Sequence, residues 1–257
     1  MNLALVPLLA AAATAPIRDN SFLIEEAYNQ ERGVVQNISS FIRERGTGSW
    51  LYTFTQEWPA PTIRHQVSWT LLFVDPGDPG NEGWGDVGIN YRYMAVGADG
   101  GPVAFAPRAS LHFPTGSSDE GRGNGGPAAQ VNLPLSVEIG RRVVSHTNLG
   151  ALHVRDARNE EGESADLDAV WAGQSFIWLV HPLFNPMLEM LWTRAESVVG
   201  DGVTEERTSF IVSPGARFAI NRPSGLQIVP GIAFPFETHR GESDGAFLLY
   251  LSFEYPF

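Results

Sequence analysis

The chain ends with the stretch AFLLYLSFEYPF at residues 246–257. Large apolar side chains occupy every second position of this stretch: Phe247, Leu249, Leu251, Phe253, Tyr255 and Phe257. Successive side chains of a β-strand point to opposite faces, so a strand here has one continuous apolar face and one mixed face. The alternation therefore predicts a strand whose apolar face lies against hydrocarbon or a protein core.

The same two-residue period recurs along the chain from Gly33 onward. Runs of about ten residues alternate with connectors rich in Gly, Pro, Asp and Asn, and this is the length of transmembrane strands. Twelve runs are present, at 33–44, 49–57, 63–74, 85–96, 103–115, 128–140, 142–155, 169–180, 185–197, 208–221, 226–237 and 246–257. We expect an all-β fold, a twelve-stranded antiparallel transmembrane up-and-down β-barrel with a short N-terminal segment.

Connector length separates the two ends of this predicted barrel. The connectors after the even-numbered runs are short, at 58–62, 97–102, 141, 181–184 and 222–225. Those after most odd-numbered runs are longer and polar, at 75–84, 116–127, 156–168, 198–207 and 238–245. Outer-membrane barrels have short periplasmic turns and long extracellular loops. The chain ends are therefore expected on the periplasmic side, and the acidic long loops are either simply solvated or share divalent cations with lipopolysaccharide.

Composition excludes several classes of function. The 257 residues include 17 basic and 29 acidic ones, for a net charge of -12, and every basic residue is Arg. Phosphate binding needs a surplus of positive charge, so nucleic acid is not an expected partner. The chain has no cysteine, and its six histidines lack metal-ligand spacing, so no cofactor and no metal is expected.

Three regions are expected along the chain. Residues 1–15 have the short apolar run and small-residue cleavage sites of a signal peptide. Residues 16–32 form an N-terminal periplasmic segment, in which residues 21–30 either form a short helix capped by Ser21 or enter the barrel mouth as a partial plug. Residues 33–257 form the barrel, which we expect in the bacterial outer membrane.

The polar face of each strand should line the barrel lumen. In the run 63–74, for example, Gln66 and Ser68 alternate with Val67 and Trp69. In a water-lined barrel the polar set faces inward and the apolar set faces lipid. This parity predicts ionisable residues that line the lumen and set its selectivity: Glu57, Arg64, Asp86, Arg92, Arg108, His112, Glu138, His146, Glu189, Arg217 and Glu254.

Opposite charges among these residues are expected to pair across adjacent strands. Glu57 with Arg64, and Glu189 with Arg217, are candidate pairs if strand register brings them together. Such pairs either close the lumen or form a charged constriction that selects small solutes. Aromatic residues near strand ends are expected to form interfacial girdles: Trp50, Tyr52, Trp58, Trp69, Tyr91, Tyr93, Trp171, Trp192, Tyr255 and Phe257.

The C-terminal run resembles the assembly signal of bacterial outer-membrane barrels. Phe253, Tyr255 and Phe257 match the hydrophobic positions of that signal. Ser252 departs from it, since the signal usually has Gly there. The resemblance implies that the barrel-assembly machinery and outer-membrane lipid with lipopolysaccharide are partners.

Several longer stretches carry a wider resemblance: NSFLIEEAYNQE (20–31), WLYTFTQEWPAP (50–61), GDVGINYRY (85–93), LHFPTG (111–116), QVNLPLSV (130–137), FNPMLE (184–189), VSPGARFAI (212–220), LQIVPGIAFP (226–235) and LYLSFEYPF (249–257). With these stretches the chain resembles the outer-membrane barrel family labelled for the MetA pathway of phenol degradation, a transporter family. The resemblance implies transport of aromatic or other small compounds. It implies no catalytic residues.

Three functions follow as hypotheses. The first is a channel or transporter for passive passage of small, aromatic or hydrophobic solutes. The second is a closed structural or surface-interaction barrel, blocked by its Arg–carboxylate pairs. The third is a lipid-modifying enzyme, for which Ser145 with His146 and Ser110 with His112 are the candidate Ser–His pairs; we expect no catalytic residue and no enzyme.

Overall fold

The computed structural model describes residues 17–77, 80–239 and 242–257. The signal peptide predicted at residues 1–15 lies outside the described residues. Within these ranges no helix is long and apolar enough to cross a membrane. The elements are β1 (Val34–Glu44), β2 (Trp50–Pro59), β3 (His65–Asp75), β4 (Gly83–Trp84), β5 (Val87–Tyr93), β6 (Val103–Phe105), β7 (Arg108–Phe113), a 3₁₀-helix (Ser118–Glu120), β8 (Ala128–Asn132), β9 (Leu135–Ile139), β10 (Val143–Arg158), β11 (Ser164–Trp178), β12 (Phe184–Gly200), β13 (Val203–Phe218), β14 (Ile220–Asn221), β15 (Gln227–Ala233), β16 (Phe236–His239) and β17 (Glu242–Pro256).

The strands form one closed antiparallel barrel. Strand β1 pairs with β2 on one side and with β17 on the other, where Val34 lies opposite Pro256 and Glu44 opposite Ala246. Five barrel strands are interrupted once and consist of two elements each: β4 with β5, β6 with β7, β8 with β9, β13 with β14, and β15 with β16. The described elements therefore make the twelve-stranded barrel that the sequence predicts.

Strand β5 shows how the side chains are oriented. Ile89 and Tyr91 are 49% and 44% exposed, whereas Asn90 and Arg92 are 5% and 2% exposed. The polar residues thus point into the lumen and the apolar ones point away from it. An outward apolar surface on a closed barrel is the arrangement that a lipid bilayer requires, because a closed barrel leaves no backbone edge unpaired.

Three connectors are shorter than the sequence analysis predicts. Strand β10 continues to Arg158 and β11 begins at Ser164, and strands β12 and β13 are separated only by Asp201 and Gly202. Strand β16 continues to His239 and β17 begins at Glu242. The expected loops 156–168, 198–207 and 238–245 are therefore mostly strand. Asp-Gly favours a two-residue hairpin turn, and Gly202 has a φ of +68°. Across these paired strands, Arg194 of β12 forms an ion pair with Glu206 of β13.

The last strand closes the barrel. The Phe257 backbone N–H donates to the Gly33 carbonyl at 2.9 Å, and the Phe257 ring lies 5.3 Å from the Trp58 ring. Phe253 and Tyr255 lie on the lipid-facing side of β17, because side chains alternate along a strand and Ser252, directly before Phe253, is fully buried on the lumen side. Phe257 directly follows the strand. The position that departs from the terminal signal is therefore a lumen position.

A charge on the lipid-facing surface should be costly. We expect Ile89→Arg to lower the free energy of unfolding by about 2–4 kcal/mol if residue 89 lies near the bilayer centre, the cost of Arg on the outside of a barrel there. Ser40→Arg, in the water-accessible lumen, is the control and should cost much less. Urea unfolding in lipid vesicles measures both. Equal costs for the two substitutions would contradict the orientation of the strands.

Candidate functional site

Residues 17–30, here called the N-terminal segment, lie inside the barrel. Ile17, Asn20, Ile24 and Ala27 are each at most 5% exposed. The segment contains neither helix nor strand, so the helix expected over residues 21–30 does not form. Its backbone groups instead bond to side chains of the barrel wall, as the following contacts show.

Glu189 on β12 holds the middle of the segment. Its carboxylate accepts hydrogen bonds from the backbone N–H groups of Phe22, Leu23 and Ile24, at 3.1–3.2 Å. Three consecutive N–H groups that converge on one anion form a nest, an arrangement with a positive partial charge at its centre. Glu189 is fully buried, so these bonds provide the polar partners that a buried carboxylate needs.

Two wall glycines make room for apolar side chains of the segment. A Cβ atom at Gly231 would overlap the Phe22 ring, and a Cβ atom at Gly173 would overlap the Ile24 side chain. The Phe22 ring also packs on the Tyr250 ring, with centroids 4.9 Å apart. The shape of the wall therefore matches this particular segment.

Asn20 anchors the beginning of the segment. Its Oδ1 accepts hydrogen bonds from Tyr250 Oη at 2.6 Å, Ser252 Oγ at 2.7 Å and Gln36 Nε2 at 2.8 Å. Its backbone φ is +65°, a left-handed conformation that Asn tolerates better than most residues. Its Nδ2 donates to Glu254 Oε1 at 3.1 Å.

Arg92 on β5 binds the second half of the segment. Its guanidinium donates to the Glu25 carboxylate, to the Asn29 side chain and to the carbonyl oxygens of Glu26 and Tyr28, at 2.6–3.0 Å. All three guanidinium nitrogens are thus used. A buried Arg with this set of charge-assisted bonds fixes both the position and the backbone direction of the segment.

A relay through His146 joins the two halves of the segment. The Ala27 N–H donates to Ser136 Oγ at 2.8 Å, Ser136 Oγ lies 2.7 Å from His146 Nδ1, and His146 Nε2 lies 3.0 Å from the Arg18 carbonyl oxygen. A carbonyl only accepts, so Nε2 carries the proton and Nδ1 accepts from Ser136. The relay is therefore consistent with one neutral tautomer of His146.

The structure buries six of the predicted lumen residues and leaves five partly exposed. The buried ones are Glu57, Asp86, Arg92, His146, Glu189 and Arg217. The partly exposed ones are Arg64, Arg108, His112, Glu138 and Glu254. Around Glu25 the barrel gathers three of them: Arg92 and Arg108 form ion pairs with Glu25, and Glu57 lies 3.8 Å from Arg92.

Neither expected charge pair forms. Register places Glu57 opposite Ser68, four residues from Arg64, and Arg64 pairs with Asp99 at the rim. Register likewise places Glu189 opposite Ser213, four residues from Arg217. The Nη2 of Arg217 donates to the Ile17 carbonyl at 2.6 Å, so this Arg also contacts the N-terminal segment.

The remaining predicted residues lie away from this centre. Asp86 holds the long loop after β7, because its carboxylate accepts hydrogen bonds from the backbone N–H groups of Gly116 at 3.0 Å and Asn124 at 2.9 Å. His112 contacts Gln130 at 3.0 Å, and Glu138 pairs with Arg18. These residues position a loop and the rim of the lumen.

The N-terminal segment lies between two lumen cavities. The cavity on the long-loop side, here the outer cavity, measures about 410 Å³ and is lined by residues of the segment from Ser21 to Glu26. The cavity on the short-turn side, the inner cavity, measures about 490 Å³ and is lined by Arg18, Asp19 and residues 28–32. The two cavities share no lining residue.

Trp171 is not part of a lipid-facing girdle. It lines the outer cavity, and its indole lies across Gly150, where a Cβ atom would overlap the ring. Girdle positions at the outer rim are instead filled by rings that pack on one another: Trp50 with Phe41 and Phe73, Phe41 with Phe247, and Phe73 with Trp84.

The two candidate Ser–His pairs do not form. Ser145 Oγ accepts from Gln174 Nε2 at 2.7 Å, and His112 bonds to Gln130. The Ser136–His146 contact is fully buried and both residues are already bonded to the N-terminal segment. No arrangement among these residues presents a nucleophile with its base to the outer leaflet.

Several residues that form hydrogen bonds between the N-terminal segment and the barrel wall were not predicted from the sequence. Asn20, Glu25 and Ser136 were not assigned a role, and Ser252 was noted only as a departure. One signal was available: residues 22–26 place three apolar residues directly before two Glu in a stretch outside the strands, a composition suited to an amphipathic lumen.

No family model matches the sequence, and no curated protein matches it. The resemblance to the family labelled for phenol degradation is therefore not confirmed. Among solved structures the chain is similar to an outer membrane channel from Pseudomonas putida F1, with a TM-score of 0.65, 13% identity and coverage of 92% of this chain and 100% of that one. It is also similar to the NanC porin, with a TM-score of 0.53, 10% identity and coverage of 84% and 98%.

A third similar structure is the β domain of the Bordetella autotransporter BrkA, with a TM-score of 0.52, 13% identity and coverage of 88% of this chain and 100% of that one. At these identities the likeness concerns the fold. The closed twelve-stranded barrel, with apolar residues outside and polar residues inside, is the architecture of the bacterial outer membrane.

Glu189→Gln should loosen the N-terminal segment. The amide keeps one acceptor oxygen and directs a donor at the N–H nest, and hydrogen bonds to charged groups contribute about 1.5–3 kcal/mol. We expect hydrogen exchange at Phe22, Leu23 and Ile24 to accelerate at least about tenfold. Glu138→Gln, which removes only the Arg18 contact, is the matched control. Unchanged exchange at these three residues in Glu189→Gln would contradict the assignment.

Docking of the segment should weaken as pH rises. Burial raises the pKa of Glu26 from 4.5 to about 8, with Asp19 and Glu57 adding to the rise and Arg92 opposing it. The buried carboxyl is therefore protonated, whereas a hydrated one ionises. Docking is fully favourable below pH 4.5 and loses about 1.4 kcal/mol per pH unit up to about 8.

Hydrogen exchange of residues 22–27, corrected for intrinsic rates, measures this effect between pH 6 and pH 8. Wild-type protection should fall over this range, and Glu26→Gln should remove most of the fall. Glu31→Gln, at an exposed position, is the control. An identical pH dependence in wild type and Glu26→Gln would show that Glu26 is not responsible.

Proposed function

We propose that the protein is a passive outer-membrane channel for small solutes, with the N-terminal segment as its constriction. The observation that carries this proposal is the pair of cavities, about 410 and 490 Å³, on opposite sides of the segment within one lumen. A barrel built only for structural support has no need of space on both sides of its constriction. The similarity to an outer membrane channel supports the proposal at the level of fold.

The segment is held by contacts that can break individually. The bonds from Glu189, Asn20, Arg92 and the Ser136–His146 relay are all polar, and water can replace each of them when the segment moves. Local openings of a polar-bonded, irregular segment cost less free energy than opening of the surrounding sheet. Passage of solutes would therefore depend on displacement of the segment, while the barrel stays closed around it.

The solutes that we propose are small and partly apolar, including aromatic compounds. Phe22, Leu23, Trp171 and Leu191 all line the outer cavity, so its surface offers aromatic and aliphatic contacts as well as charged groups. A purely hydrophilic lumen would favour salts and sugars instead. This choice of solute also agrees with the transport that the family resemblance implies.

A closed structural barrel is the second candidate. The specific observation in its favour is the density of wall contacts to the segment, which leaves Asn20, Ile24 and Ala27 almost inaccessible. Under this alternative the segment never leaves its position and the two cavities are permanently separate. The two candidates differ in one measurable quantity, the conductance of the folded protein.

Single-channel recording in planar bilayers tests the channel. We expect small conductance for the wild type, larger or more frequent openings for Glu189→Gln, and the largest conductance after deletion of residues 17–30. Circular dichroism of each variant verifies that the barrel is folded, and Glu138→Gln is the control. Absence of current, and of solute uptake by liposomes, in the folded wild type and in Glu189→Gln would favour the closed barrel.

A further inference from the structure

The outer cavity has a polar side and an apolar side. Its charged and amide wall residues include four from strands β2, β5, β7 and β8: Glu57, Arg92, Arg108 and Asn132. Its large apolar side chains come from β1, β11, β12 and β17: Ile38, Trp171, Leu191 and Tyr250. Phe22 and Leu23 add to the apolar surface from the N-terminal segment. A solute that fits this space has an apolar body and a polar end.

Three buried polar atoms on the polar side have no hydrogen-bond partner among the described residues. They are Glu57 Oε2, Asn132 Oδ1 and Arg108 Nε, two acceptors and one donor. Glu57 is 9% exposed and Asn132 is 3% exposed. Buried polar atoms are nearly always paired, so a group of unpaired atoms beside a cavity indicates what a bound molecule must supply. Here that molecule must both donate and accept hydrogen bonds.

The residues that carry these three atoms are connected by direct contacts. Arg108 is directly opposite Asn132 across strands β7 and β8, and opposite Arg92 across β5 and β7. Glu57 lies beside Arg92, and the Glu25 carboxylate bonds to Arg92, Arg108 and Asn132. One polar group of a small solute can therefore reach this cluster.

The charges of the cluster already balance. Counted as formal charges, Glu25 and Glu57 supply two carboxylates and Arg92 and Arg108 supply two guanidinium groups, and each of these groups contacts one of opposite sign. Glu26 also lines the cavity, and burial raises the pKa of its carboxyl to about 8, which favours the uncharged form at pH 7. A charged solute would therefore lose its hydration without gaining a counter-charge, and that loss is costly in a low-dielectric site.

Resting on the proposed function, we infer that the outer cavity binds uncharged solutes with an apolar body and a head group that both donates and accepts, such as a hydroxyl or a primary amide. The donor of the head group serves Glu57 Oε2 or Asn132 Oδ1, and its acceptor serves Arg108 Nε. The apolar body lies against Trp171 and Leu191. A dry cavity of about 150 Å³ holds benzene, so about 410 Å³ admits one ring with its head group.

Three probes with one body and different heads test the inference. Benzyl alcohol, benzoate and benzylamine are titrated calorimetrically at pH 7 into the full chain in nanodiscs, with empty nanodiscs as the blank. We expect benzyl alcohol to bind at least about tenfold more tightly than either ion. Equal or tighter binding of benzoate or benzylamine, or no binding of any probe at millimolar concentration, would overturn the inference without any substitution.

Two substitutions then test the role of the charge balance, because one should favour the anionic probe and the other the cationic probe. Glu57→Gln leaves one positive charge in excess and should strengthen benzoate binding at least about fivefold relative to wild type. Arg108→Gln leaves one negative charge in excess and should do the same for benzylamine. Glu138→Gln, which lines only the inner cavity, should change neither. If folded variants keep the wild-type order of the three probes, the charge balance does not set the preference.

The binding measurement is independent of the channel proposal. A wild type that binds benzyl alcohol selectively but carries no current would remove the channel and keep the cavity assignment. A wild type that conducts but binds the three probes alike would do the opposite.

Discussion

A peptide segment inside a closed barrel loses water from its backbone, and each of its buried N–H and C=O groups then needs a partner in the wall. Glu189 meets this requirement for three successive residues at once, since its carboxylate accepts the N–H groups of Phe22, Leu23 and Ile24. The interaction also works in reverse, because the same nest supplies the polar partners of a fully buried carboxylate. Neither the segment nor Glu189 would be stable in the lumen alone.

The other features of the lumen follow from this arrangement. Arg92 binds carbonyl groups of the segment where Glu189 binds its N–H groups, so donors and acceptors of the backbone are satisfied from opposite parts of the wall. Gly173 and Gly231 leave space for Ile24 and Phe22, and the apolar side chains thereby face an outer cavity whose far side is charged. The segment thus adds Phe22 and Leu23 to the apolar side of a cavity whose wall supplies both its polar and its apolar side.

The barrel was predictable from the sequence, and the lumen was only partly so. The two-residue period of residues 246–257 predicts strand β17, and twelve such runs predict the closed sheet. This works because the alternation of side chains along a strand can be read from adjacent residues in the sequence. The same alternation correctly placed Glu189 and Arg92 on the lumen face of their strands. Their partners were not predictable, since Glu189 and Phe22 are 167 residues apart in sequence and no local pattern relates them. Trp171 was placed in a girdle because sequence alone does not reveal that Gly150 gives its ring room inside.

Thiol labelling tests the central claim, that the N-terminal segment separates two lumen cavities, most directly. The chain has no cysteine, so single cysteines at Ser40, in the outer cavity, and at Ala98, in the inner cavity, are unambiguous reporters. A membrane-impermeant maleimide added from the extracellular side should label Ser40→Cys rapidly and Ala98→Cys slowly, and deletion of residues 17–30 should make the two rates similar. Equal rates at the two positions in the otherwise unchanged chain would contradict the account.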